Sequence, residues 1–180
     1  MPKHSTKSGS LMSAKSRVLA FIVMCTMIPL LCGPVRAAPP TNEFECMVTA
    51  IYFEARGEPP LGQRWVFDVI RNRAALNYRG QSTWCDVVYD RWQFSFANAD
   101  NSIRPREGRT LERIRARVHD WMYDPTDVTC GATHYLRYDI AWKIRWSIQA
   151  LQGRSDENLV PLAIIGDHWF FGPKQECSWR

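Results

Sequence analysis

The chain has 180 residues, 46% hydrophobic and 23% charged, a composition that excludes a disordered or collagen-like protein and suffices for one domain with a real core. Its net charge of +5 invites a nucleic-acid partner, but Lys3, Lys7, Lys15, Arg17 and Arg36 all stand in residues 1–37, which hold no acid, leaving 18 of the 23 basic residues against 18 acidic ones. The charge is a basic leader rather than a basic surface, and no nucleic-acid partner is expected.

The leader is laid out as an export signal. Lys15 and Arg17 precede an apolar run from Val18 to Cys32, about the length of a signal core and short for a membrane span. Val35-Arg36-Ala37 ends in a small-x-small site, so residues 1–37 read as a signal peptide and 38–180 as the exported catalytic domain, in the periplasm or cell envelope. The alternative is an uncleaved signal anchor, which would be the chain's only tie to a membrane. After cleavage Cys46, Cys85, Cys130 and Cys177 remain. An even number in an exported chain points to two disulfides with three possible connectivities, of which Cys46 with Cys85 and Cys130 with Cys177 is preferred. No C-x-x-C or H-x-x-x-H spacing is present, so no metal is expected.

In chain order, Phe44, Met47, Val48, Ile51, Tyr52 and Ala55 fall at helical spacing. Asn42 reads as the N-cap, with Glu45 placed for a capping box, and Gly57 and Pro59-Pro60 as the stop. Glu54 lies roughly 80° from the centre of the apolar stripe, at the margin of core and cleft, where partial desolvation suits a general acid. The bland reading is an edge glutamate paired with Arg56 or Arg64. Gln63–Arg73 is a second helix, marked by Val66, Val69, Ile70 and Arg73. Tyr78–Ser82 is a turn, and Ser82 or Thr83 caps a short helix to Tyr89. Trp92, Phe94 and Phe96 alternate and suggest an extended segment. Residues 97–108 read as loop. Arg109–Tyr123 is a third clear helix with a basic face (Arg113, Arg115, Arg117) facing solvent. Beyond the turn at Asp124–Asp127 the period changes. Residues 131–136 and 161–171 read as β, 141–150 is ambiguous, and 152–158 is a polar loop. Helices first, then short strands, make an α+β domain.

Three features carry chemistry besides Glu54. Eight tryptophans supply faces for stacking on sugar rings, with Trp65, Trp121 and Trp169 read as core. His134 and His168 sit on β-like segments beside glycine, as cleft donors, metal ligands or structural histidines. Cys46 near a helix N-terminus, with the later histidines, fits a cysteine peptidase, against which the even cysteine count weighs.

The segment Ala50-Ile51-Tyr52-Phe53-Glu54-Ala55-Arg56-Gly57-Glu58, with Gly62-Gln63, resembles the signature of the SleB-type cell wall hydrolases, the family of the spore-cortex-lytic enzymes. The likeness continues in order through Val69–Arg73, Cys85–Tyr89, Gln93–Phe96, Asp127–Thr129, Gly131–Tyr135, Trp142 and Ile165–His168. It implies a compact lysozyme-like α+β domain that cleaves the glycan of peptidoglycan as a lytic transglycosylase, with no cofactor. Glu54 matches the essential glutamate. Gln63, Gln93, Phe94, Ser95, Thr133, Tyr135 and His168 match motif positions implied to bind substrate. Two departures stand out. Trp92 and Asn98 occupy places where relatives often carry cysteines, which implies a looser loop, and Leu136 stands where relatives often carry histidine. A muramidase would need a second carboxylate, for which Asp86, Asp90, Asp100 and Glu58 are candidates. The Cys46 peptidase and a non-catalytic wall-binding domain are the other readings.

Overall fold

A computed structural model describes residues 42–99 and 104–174. The expected leader and cleavage site, together with Asp100, Cys177 and Trp179, lie outside the described residues.

Helix α1 (Glu43–Ala55) is the element the others pack around: α2 (Pro60–Ala75), α3 (Trp84–Tyr89) and α5 (Arg109–Met122) all lie against it. Met47, Val48 and Ile51 are wholly buried, as their spacing requires. Asn42 caps the helix, its Oδ1 accepting from the Phe44 N–H at 2.9 Å. The expected return bond from Glu45 is replaced. Both oxygens of Glu45 accept from Arg115 of α5, at 2.6 and 2.9 Å, a charged fork that outweighs one exposed capping bond. Arg117 donates to Gln63 at 2.8 Å, so the basic face of α5 holds the helices together at two points instead of only facing solvent. The prolines after α1 do end it, and Pro60 then opens α2, where a missing N–H costs nothing. For that reason α2 begins before the expected Gln63.

Asp68 is a second surprise of α2. It is fully buried between Arg64 (3.1 Å) and Arg71 (3.0 Å) and accepts from the Val128 N–H, while both arginines donate to the Thr126 carbonyl. Burial pushes its carboxyl up to about 6 in spite of both guanidinium groups. The cluster clamps the 124–128 turn onto α2 and is a structural use of a perturbed carboxylate.

The alternating aromatics do not form an extended segment. Residues 91–93 are a turn with Trp92 at φ +69°, and α4 (Ser95–Ala99) follows. Trp92 is exposed, whereas Phe94 and Phe96 are buried, so burial rather than pleating sets the spacing. The Trp92 N–H donates to Asn98 Oδ1 at 2.8 Å. A hydrogen bond thus closes the loop where the resemblance leads one to expect a cysteine pair. Thr83, not Ser82, caps α3 through the Asp86 N–H at 3.0 Å. Cys46 and Cys85 form a disulfide that ties α1 to α3. Cys130 is also disulfide-bonded; its expected partner, Cys177, lies outside the described residues.

The C-terminal part is a three-stranded antiparallel sheet in the order β1 (His134–Arg137), β3 (His168–Pro173), β2 (Leu159–Ile165). Pro161 is tolerated because β2 is an edge strand, and the register slips between Pro161 and Ala163. Between β1 and β2 come a 3-10 turn (Tyr138–Lys143) and α6 (Arg145–Leu151). The ambiguous 141–150 stretch is therefore helical. The hydroxyl of buried Ser147 lies 2.6 Å from the Ala141 carbonyl and 2.8 Å from that of Ile144, fastening α6 to the preceding turn. Period-two alternation divides β3. Phe170 packs on the helical core, and Trp169 and Phe171 pack on a smaller cluster under α6 with Leu136 and Leu159. Leu136 thus lies on the sheet face opposite Tyr135. The architecture is α+β, as the order of periods predicts.

Candidate active site

A cleft of about 340 Å³ opens between the end of α2, the 91–93 turn, β1, α6 and the 155–159 segment, lined by Arg73, Tyr78, Gln93, Tyr135, His134 and Glu157 among others. Two of the expected site residues, Gln93 and Tyr135, line it directly. Glu54 stands just behind. It projects from the last turn of α1, half-buried, and the Tyr135 hydroxyl donates to its Oε2 at 3.3 Å. The two residues are far apart in sequence; the register of β1 against β3 brings Tyr135 to the helical face.

Burial raises the pKa of Glu54, opposed by the Tyr135 hydrogen bond and the Arg73 charge. The Tyr135 phenol is itself pushed well above its ordinary value by burial and by the neighbouring carboxylate, so it stays protonated and remains a donor. A carboxyl that resists ionisation, held by one fixed donor, is the physical description of a general acid.

The remaining expected residues support this pair from behind or lie elsewhere. His168 is buried, edge-on to the Tyr135 ring at 5.1 Å, with Nδ1 3.4 Å from Glu58 Oε1. Burial holds its imidazole below the usual value against the pull of Glu58. The other Glu58 oxygen accepts from the Asp167 N–H at 3.1 Å. Gly166 makes this closure possible, since it sits at φ +58° and a Cβ there would collide with that oxygen. Glu58, His168 and Tyr135 therefore form a buttress that ends on Glu54. The Thr133 carbonyl accepts from Arg73 Nε at 2.6 Å, and its hydroxyl is 2.9 Å from His134 Nδ1. Phe94 is core and underlies Arg73, whose guanidinium sits 5.8 Å from its ring. Ser95 is exposed at the start of α4. Gln63 is not brought to the cleft: it is buried at the edge of a separate hollow of about 160 Å³, bridging the Glu58 carbonyl and Arg117.

The sequence reading missed Arg73, Tyr78, Gln149 and Glu157 as cleft residues. Arg73 had a signal, because a charge on the apolar face of a helix is the exception that calls for a reason. His134 is a cleft residue whose Nε2 lies 3.2 Å from the Tyr78 hydroxyl. Burial and Arg73 lower its pKa to about 4, so it is a neutral hydrogen-bonding group at physiological pH. Of the second-carboxylate candidates, Asp86 is exposed, Asp90 is paired with Arg79 at 2.7 Å, and Glu58 is engaged in the buttress. No cluster of potential metal ligands occurs among the described residues.

The model of the family described as Cell Wall Hydrolase matches residues 57–179, beginning just after Glu54. No curated protein matches the chain. Among solved structures, the catalytic domain of the Bacillus cereus SleB protein is similar at 25% identity and TM-score 0.51, covering 77% of this chain and 98% of that one. The catalytic domain of the germination-specific lytic transglycosylase SleB from Bacillus anthracis is similar at 26% identity and TM-score 0.52, covering 76% and 98%. The family match spans most of the chain and the solved relatives share its helix-then-sheet build, so the chain belongs to the cell wall hydrolase family, enzymes that act on peptidoglycan.

Proposed function

We propose that the protein is an exported lytic transglycosylase that cleaves peptidoglycan between N-acetylmuramic acid and N-acetylglucosamine, with Glu54 as its single acid–base. The observation that carries this reading is the pairing of a desolvated Glu54 with the Tyr135 donor at the wall of the cleft. Protonated Glu54 gives its proton to the glycosidic oxygen as the bond to the muramic C1 breaks, and positive charge develops on that carbon. The resulting carboxylate then takes the proton of the muramic C6 hydroxyl, whose oxygen closes on C1 to form a 1,6-anhydro ring. Proton and electron pairs balance with one carboxylate. The solved relative from B. anthracis is itself described as a lytic transglycosylase, which supports the same outcome here. The Cys46–Cys85 bond supports an oxidising compartment such as the periplasm, and it removes the thiolate a Cys46 peptidase would need.

Hydrolysis by a muramidase mechanism is the second reading, favoured by one observation: Asp156 and Glu157 line the cleft and are carboxylates the sequence did not single out. Mass spectrometry of the soluble products released from purified sacculi separates the two. Products ending in 1,6-anhydromuramic acid are expected. Reducing muramic ends would replace the transglycosylase with a muramidase and direct attention to Glu157. Free peptides with intact glycan would overturn both.

The pH dependence follows from the cause of the Glu54 shift. As the acid, Glu54 must hold its proton, so activity falls as pH rises through its pKa. The Tyr135 bond favours the ionised form. Tyr135→Phe is therefore expected to move the alkaline limb of kcat to higher pH, and to lower the plateau about tenfold through lost positioning. An unmoved limb in a pH–rate profile would detach Tyr135 from the acid.

A further inference from the structure

Arg73 is only 6% exposed, yet it lines the cleft. Its Nε is committed to the Thr133 carbonyl at 2.6 Å, and the guanidinium is flanked by the rings of Tyr78 at 5.5 Å and Phe94 at 5.8 Å. Among the described residues, Nη1 and Nη2 make no hydrogen bond and no carboxylate lies within ion-pair distance of them. Asp90 is occupied by Arg79, and exposed Glu157 at the cleft stands 3.6 Å from His134 instead. Burial disfavours the charged form of Arg73, and the nearby phenols and distant carboxylates only partly offset this. Among the described residues buried Arg64 and half-buried Arg71 have carboxylate counterions. Arg64 has two and Arg71 has one. A buried cation without a counterion is disfavoured, and one whose remaining donors end in a cleft is a binding group for an anion.

We infer that Arg73 is a specificity residue that binds a carboxylate carried by the muramic sugar. The inference rests on the glycan-cleaving reading above and names which feature of the glycan is read. Of the two alternating sugars only the muramic residue carries an acid, either on its lactyl group when no peptide is attached or along an attached stem peptide. With Nε held by Thr133, the two Nη atoms form the remaining two-pronged donor pair, which fits the two oxygens of a carboxylate. Tyr78 and Phe94 keep the guanidinium plane fixed and shield it from water. Gln93 and Gln149 supply neutral donors and acceptors for hydroxyl and acetamido groups on the same wall. The acids at the cleft, Asp156 and Glu157, are exposed and screened by solvent, so they do not cancel a charge held in the floor.

The test uses three soluble tetrasaccharides of alternating N-acetylglucosamine and N-acetylmuramic acid: free lactyl acid, neutral lactyl methylamide, and lactyl carrying a short acidic peptide. Binding is read by calorimetry and turnover by product analysis, for the wild type, Arg73→Gln and Arg73→Lys. The wild type is expected to prefer an acid-bearing ligand over the methylamide by about ten- to a hundredfold. Preference for the free acid assigns the lactyl group, and preference for the peptide form assigns the stem. Arg73→Gln is expected to lose the preference through KM, so that the acid-bearing ligands fall to the level of the methylamide, and Arg73→Lys to keep part of it. Equal use of all three ligands by the wild type, or a uniform loss of all three in Arg73→Gln, would make Arg73 a brace between α2 and β1 and overturn the inference, leaving glycan cleavage standing. Preferential binding of the acid without cleavage of any ligand would overturn the cleavage reading instead and leave the Arg73 assignment standing.

Discussion

Glu54→Gln is expected to lower the release of glycan fragments by about 10²- to 10⁴-fold, the range a positioned general acid contributes, without unfolding the protein. The substitution changes little else. Glutamine has the same shape, and its side-chain oxygen can still accept from the Tyr135 hydroxyl that now bonds Glu54 at 3.3 Å. What is lost is the transferable proton and the base it leaves behind, so both halves of the reaction fail together. Stability is expected to hold or rise slightly, because the variant no longer buries a group whose ionisation burial disfavours. The check is a pair of measurements on one preparation: initial rates on sacculi and the thermal midpoint. A variant that retains a tenth or more of wild-type activity removes Glu54 from the acid role. The buttress behind Tyr135 then becomes the place to look, beginning with Glu58 and His168.

The fold was legible where local physics decides it. The apolar spacing of α1, the prolines after it and a hydroxyl cap at the start of α3 all follow from periodicity and backbone chemistry, whereas 161–171, read as one β segment, is two strands joined by a turn at Gly166-Asp167. Glu54 at the margin of a buried helix was legible for the same reason. The partners of these residues were not. Tyr135 meets Glu54 only because β1 pairs with β3 in one register, which a sequence does not display. The buried Asp68 cluster and the Glu45–Arg115 fork engage distant segments, so Asp68 gave no local signal and Glu45 read as a capping-box acid. The aromatic run at Trp92–Phe96 misled because alternation over so few positions describes a turn entering a helix as well as a strand. Gln63 misled differently. It lies within a motif resemblance, and its amide joins α2 to α5 away from the Tyr135 cleft, a placement set by the packing of the two helices.

Removing the Cys46–Cys85 disulfide is expected to produce the largest loss of stability of any change that leaves the cleft untouched. The bond spans 39 residues of chain and encloses all of α2, so closing that loop in the unfolded state is worth about 4 kcal/mol by chain entropy. Cys46→Ala with Cys85→Ala is the appropriate variant, since Cys46 is wholly buried and alanine leaves neither an unpaired hydroxyl nor a thiol free to exchange with the Cys130 bond. A lowering of the thermal midpoint by about 8–15 °C is expected for a domain of this size. A shift within about 2 °C would mean that the packing of α1 against α3, in a core that includes Val48 and Val88, closes the loop unaided. The same variant decides a point of chemistry. Well below its midpoint it retains Glu54, Tyr135 and Arg73 in place, so full glycan cleavage per folded molecule is expected. Loss of activity from a folded double variant would mean that the bond holds α1, and with it Glu54, in the position the reaction needs.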